Sequence, residues 1–149
     1  SLTLSDVSMI NFCKPGLDAM LGTGVDYLFC NEEEAQVWCG VTEQALVNAA
    51  LAPLAKTVCL TRGAKGTLVL QGGQVHDVPG FPVKALDANG AGDMFAGAFL
   101  YGLSEGMTAP QAASLANKAA SVVVAQRGNR LTTEGVRALL SDWRALSAT

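Results

Sequence analysis

A Gly72-Gly73 pair separates two runs that alternate in strand fashion, Thr67–Gln71 and Gln74–Val78. Two adjacent residues free to take positive φ make the tightest hairpin turn, so the runs form an antiparallel pair. The pattern upstream differs. Val25–Cys30 and Thr57–Thr61 are short apolar runs rich in branched and aromatic residues, and the residues between them read as helix. Strands joined through a helical crossover lie parallel. A chain carrying both signals is expected to be α/β, with a mainly parallel sheet plus one antiparallel hairpin.

Punctuation residues set the other elements. Leu2–Ser5 alternates like a short strand. Val7–Leu21 reads as helix in two pieces, with Pro15 in the first turn of the second and Gly22 as its stop. Asn31 caps a helix through Cys39, which Gly40 ends, and Thr42 caps another to about Leu54. A helix runs from Ala91 to about Leu103. Thr108, with Pro110 just inside, opens an Ala-rich helix to about Gln126, and Thr132 or Thr133 caps a last one through Leu146. No repeat, low-complexity tract or linker interrupts the 149 residues, so one domain, 1–149, is expected.

Composition narrows the function classes. Half the residues are hydrophobic, 15% are charged and the net charge is −3. With no basic stripe, nucleic acid is a poor candidate partner and none is expected. Cys13, Cys30, Cys39 and Cys59 have no C-x-x-C spacing and His76 is the sole histidine, which disfavours structural zinc. The cysteines read as reduced, buried thiols, and with no secretory signal the expected location is cytoplasmic. No apolar run approaches the ~20 residues of a membrane span, so no membrane partner is expected.

The stretch Ala85–Gly102, ALDANGAGDMFAGAFLYG, carries the chemistry. Gly90 and Gly92 free the backbone for close approach, and the amides of Gly90, Ala91 and Gly92 would fan out at a helix N-terminus as an anion hole. Three phosphate or acyl motifs fail. Phe95 stands where the dinucleotide fingerprint needs glycine, Ala98-Phe99 where a P-loop needs Lys-Ser or Lys-Thr, and no serine stands between glycines as in a nucleophile elbow. Asp93 in the first turn would repel a phosphate. It is either an acid stabilised by the helix dipole or a group with its own task.

DANGAGD resembles the D-T-x-G-A-G-D signature of the ribokinase family, the pfkB-type carbohydrate and nucleoside kinases, with Ala88 where Thr is usual. In the family's order, Asn31-Glu32-Glu33-Glu34 resembles its N-x-x-E motif, TRGAKG (Thr61–Gly66) its T-x-G-x-x-G nucleotide loop, and Ala116–Ser121 its small-residue helix beside the adenine. The resemblance covers essentially the whole chain and implies a ribokinase-like three-layer α/β/α fold. It implies transfer of the γ-phosphate of ATP to a hydroxyl of a small-molecule sugar or nucleoside. Asp93 would be the catalytic base facing that hydroxyl, and Gly90, Ala91 and Gly92 would hold the phosphoryl group.

The same resemblance places Thr61, Gly63, Gly66 and Asn117 at the nucleotide, although a plain β-turn and a helix-surface Asn account for those residues equally well. Asn31 and Glu34 would serve Mg²⁺, directly or through water. Asn with Glu three residues on is also a capping box, and both readings can hold together. Asp87 matches the acid beside which family members bind a monovalent cation. The resemblance therefore admits K⁺, with further ligands in Gln126–Thr132.

The chain is about half the family's usual length and matches the C-terminal half. The N-terminal half of the domain, with the acceptor pocket, is expected to be missing and the chain alone to be inactive toward sugars. An uncovered strand edge would favour a homo-oligomer. The competing readings are a non-catalytic nucleotide-binding or interaction fragment and, disfavoured by Phe95 and the mid-chain hairpin, a Rossmann oxidoreductase.

Overall fold

A computed structural model of the chain describes residues 1–4, 6–128 and 130–148. It divides into two compact units, Ser1–Gly63 with Thr67–Val78, and Ala64–Gly66 with Pro79–Thr149.

The first unit holds one five-stranded sheet: β1 (Leu2–Thr3), β2 (Val25–Asn31), β3 (Ala55–Thr61), β4 (Thr67–Gln71) and β5 (Gln74–Val78), in that spatial order. β1, β2 and β3 run parallel, whereas β3–β4 and β4–β5 are antiparallel. Gly72 (φ 59°) and Gly73 (φ 76°) make the β4–β5 turn at positive φ, as a two-residue hairpin requires. The expected mixed sheet is therefore present. β1 is shorter than the expected strand, and Ser5, its predicted last residue, lies outside the described residues.

Helices α1 (Val7–Leu21), α2 (Glu32–Cys39) and α3 (Gln44–Leu51) connect the parallel strands. Side chains alternate across a strand, so one face of the sheet carries Leu28 and Cys30, Val58 and Leu60, and Leu68 and Leu70. These join Ile10, Leu17 and Leu21 of α1, Ala35 and Trp38 of α2, and Val47 and Leu51 of α3 in one core. Phe29, Cys59 and Val69, on the opposite face, are buried as well.

Local chemistry explains the helix ends. α1 breaks helical geometry at Cys13 (φ −122°, ψ 15°) ahead of Pro15, giving the two expected pieces. Gly22 (φ 52°) ends it, its N–H donating to Asp18 O. Thr42 does not cap the next helix: Glu43 occupies the cap position with no side-chain bond. The α-helix also stops at Leu51, because Pro53 lacks the N–H to continue it, and a 3-10 turn over Ala52–Leu54 follows.

The second unit contains α4 (Ala91–Ser104), α5 (Ala109–Val124) and α6 (Thr133–Ser147). Thr108 and Gln111 form a capping box at α5, and Thr132 caps α6 through the Gly135 amide. α4 and α5 approach closely at Gly102, where a Cβ would lie 3.0 Å from that of Ala112. Phe95 and Phe99 stack at 6.2 Å inside this unit.

Cys30 and Cys59 are buried, and burial raises both thiols, but the expectation of buried cysteines fails for Cys13, which is exposed at the α1 break, and holds only in part for the half-buried Cys39. Trp38 is buried with the Lys14 ammonium 4.8 Å from its ring, while Trp143 is only half-buried. Among the described residues, no helix is long and apolar enough to cross a membrane.

Candidate functional site

The site residues divide between the units: Asn31, Glu34, Thr61 and Gly63 in the first, Gly66, Asp87, Gly90, Ala91, Gly92, Asp93 and Asn117 in the second. In the first unit, the parallel register sets Asn31 opposite Thr61, each the last residue of its strand. Ligand sites of parallel α/β sheets lie at this carboxyl edge. Asn31 Oδ1 accepts from the Glu34 N–H at 2.8 Å, and Glu34 Oε2 accepts from the Asn31 N–H at 2.9 Å. The capping box is thus formed. It occupies one carboxylate oxygen of Glu34 and leaves Oε1 as the atom available to a cation.

Glu34 is only 7% exposed. Burial pushes its carboxyl above the usual range. The Asn31 N–H pulls the other way, and Asp6 and Glu33 add to the rise. A hard divalent cation would offset that cost. Among the described residues, no three His, Cys, Asp or Glu side chains gather into a metal cluster, so any metal here would rest on few protein ligands.

Thr61 Oγ1 donates to Cys30 O at 3.4 Å. The following Arg62 forms an ion pair with Asp77 of β5. That pair was missed in the sequence, where the only signal was an arginine in a Gly-rich loop and an acid on the hairpin's return strand. Gly63 (φ 58°) and Gly66 (φ 95°) take conformations that L side chains rarely adopt.

In the second unit, the N–H groups of Leu86 and Asp87 both donate to Val124 O, at 2.7 and 3.2 Å, so the end of α5 holds the start of the loop. Asp87 Oδ1 accepts from the Asn89 N–H at 2.9 Å, an Asx turn. Gly90 (φ 79°, left-handed) stands at the N-cap of α4 and supplies no side-chain bond.

The Ala91 amide is not open, because the turn directs it to Ala88 O at 3.3 Å. The amides of Gly90, Gly92 and Asp93 donate to no acceptor among the described residues. A Cβ on Gly92 would meet nothing within 4 Å. Glycine inside a helix costs roughly 1 kcal/mol against alanine, and here neither packing nor positive φ requires it. Asp93 is exposed, and its carboxylate enters no hydrogen bond or ion pair among the described residues.

Asn117 is not a surface residue. It is 8% exposed, and its Nδ2 donates to Pro79 O at 3.1 Å. Of the Gln126–Thr132 segment, Gln126 Nε2 donates to Arg130 O, and Asn129 lies outside the described residues.

The raised Glu34 carboxyl has a pH consequence. A folded-state value above the unfolded one favours the protonated native state. Stability is then greatest below the unfolded value near 4.5 and falls as pH rises through the folded value. Denaturant unfolding of the chain and of Glu34→Gln between pH 4 and pH 7 is expected to show this decline only with Glu34 present. Parallel pH profiles would refute it.

The arrangement has counterparts among known proteins. The pfkB family carbohydrate kinase profile matches residues 2–134. Ribokinase of Haemophilus influenzae is 36% identical over 110 residues, covering 70% of this chain and 36% of that protein. The structure of adenosine kinase from Sinorhizobium meliloti superposes with a TM-score of 0.85 at 27% identity, covering 93% of this chain and 43% of that one. Fructokinase from Vibrio cholerae, in a form bound to fructose, ADP and calcium ion, gives 0.68 at 30% identity, covering 78% and 40%. The chain thus spans less than half the length of the relatives it matches. With its mixed sheet, its Gly-rich helix opening and a family match over nearly its whole length, the chain belongs to the pfkB family of carbohydrate kinases and has their ribokinase-like fold.

Proposed function

We propose that this chain is the C-terminal nucleotide-binding part of an ATP-dependent kinase that transfers the γ-phosphate to a hydroxyl of a sugar or nucleoside. The observation that carries the reading is the opening of α4. An unengaged, exposed carboxylate at Asp93 adjoins open backbone donors at Gly90 and Gly92, beside a glycine that packing does not require.

Charge developing on a transferred phosphoryl group falls on its outer oxygens, so positioned donors stabilise the transition state most. Gly90 and Gly92 supply such donors, and Ala91 joins them on leaving its long bond to Ala88. Asp93 accepts the proton of the attacking hydroxyl. It sits in the first turn of the helix, the end at which a negative charge is favoured. Thr61 and Gly63 in the first unit, and Gly66 in the second, are each assigned to the nucleotide, the glycines by allowing the backbone to approach the ligand, and Asn117 is assigned to it through the turn it holds.

Glu34 Oε1, with Asn31 holding its other oxygen, is the group to which a magnesium ion would be tied, directly or through water. That ion, when bound, neutralises phosphate charge. Asp87 marks the place of a monovalent cation such as K⁺, with one oxygen already committed to the Asx turn. The fructokinase bound to fructose and ADP, and the adenosine kinase, support small-molecule hydroxyl acceptors. A cytoplasmic location fits such substrates.

Two substitutions test the site. Asp93→Asn is expected to leave MgATP affinity within about two-fold while turnover on an accepted sugar or nucleoside falls about 10²–10⁴-fold, the usual worth of a general base. Near-normal turnover would reject the base. Gly92→Ala is expected to fold at least as stably as the parent, since its Cβ has open space, yet to bind ATP more weakly in calorimetric titration. Unchanged affinity would remove the anion hole.

A homo-oligomer is proposed from α1, where Phe12 is 86% and Met20 64% exposed, and from β1, the two-residue strand at one end of the described sheet. Light scattering is expected to show mass rising with concentration. A constant monomer mass would overturn it.

A further inference from the structure

Asn117 and Gly80 are joined by a chain of contacts inside the second unit. Asn117 Nδ2 donates to Pro79 O at 3.1 Å, across 38 residues of sequence. The next residue of α5, Lys118, places its ammonium 5.3 Å from the centre of the Phe81 ring. Consecutive residues of one helix therefore hold Pro79 and Phe81, and Gly80 lies between the two anchored points.

Gly80 faces the Ala64–Gly66 loop with no room to spare. A Cβ added there would collide with Ala64 O and stand 2.8 Å from Gly66 N and 3.0 Å from Ala64 C. All three are backbone atoms, so no side chain can rotate away. Gly80 is not among the glycines at positive φ, so its conformation does not demand glycine. Clearance against the loop does. Gly66 itself stands at φ 95°, a conformation that L side chains rarely adopt.

We propose that Asn117 and Gly80 are positioning residues for Ala64–Gly66, the second half of the Gly-rich loop. Asn117 fixes the Pro79–Phe81 turn, and the Gly80 backbone is the seat against which Ala64–Gly66 is held. The proposal rests on the reading of that loop as nucleotide-facing. It gives Asn117 a role other than contact with the adenine: its amide nitrogen serves the protein, and nucleotide affinity depends on it through the loop. Lys118 supports the same turn from the Phe81 side.

The test combines MgATP titration by calorimetry with amide hydrogen exchange on the nucleotide-free chain. Asn117→Ala is expected to weaken MgATP about five-fold, the effect of one lost hydrogen bond. It is also expected to speed exchange at Ala64–Gly66 while the middle of α5 keeps its protection. Gly80→Ala is expected to do the same, and the double variant to be no weaker than the worse single one, because both act through one loop. If Gly80→Ala does not fold, Asn117→Ala alone decides, with Lys118→Met expected to shift exchange in the same direction.

Unchanged MgATP affinity in Asn117→Ala would overturn the proposal and leave the nucleotide reading standing. Weakened affinity with unchanged exchange at Ala64–Gly66 would overturn it in favour of direct contact. No MgATP binding by the unsubstituted chain would overturn the nucleotide reading and this proposal with it.

Discussion

The parallel register of β2 on β3 is the constraint from which the rest follows. It runs from Val25 opposite Ala55 to Asn31 opposite Thr61. A slip of one residue would exchange the two faces of β2 and put Leu28 and Cys30 where Phe29 now lies. It would also remove Asn31 from the end of the strand at which Thr61 and its Gly-rich loop begin. The packing of the sheet and the pairing of Asn31 with Thr61 are therefore fixed by the same ladder, and Leu28, Val58 and Leu70 hold it from within the core.

The two loops use opposite devices. At Asn31 the helix start is closed on itself: the side chain of each partner takes the other's amide. At Gly90 it is left open, because the N-cap residue has no side chain to offer. One start is self-sufficient, and the other has donors directed outward. A family whose members act on phosphates makes sense of the second arrangement. Packing makes sense of the first, since a carboxyl as buried as Glu34 needs a donor whatever else it does.

Much of this was legible in the sequence because glycine, proline and short polar residues act locally. Gly72-Gly73 gave the hairpin, Gly40 the end of α2, Pro15 the break in α1, and Thr108 the start of α5. The failures are those where a distant residue decides. Thr42 looks like a cap until Glu43 takes that position. Asn117 reads as a surface residue, yet α5 buries Ala112, Ala113, Ala116 and Ala119 around much of its girth, so no polar face remains to mark exposure. The contact of Gly80 with Ala64 and Gly66 has no sequence signal at all, since a glycine needed for clearance looks like any turn glycine. The direction of the Ala91 amide depended on the turn geometry at Ala88, which composition does not specify.

The strand order of the sheet follows the order of the chain, from β1 through β5. Among the described strands, each therefore lies beside the one that precedes it in the chain. Closing each pair requires only a helical crossover, the short Arg62–Gly66 loop or the two-residue turn, so the loop entropy to be overcome stays small. The strand ends bearing Asn31 and Thr61 are therefore paired by residues that all precede the Gly90–Asp93 loop in the chain.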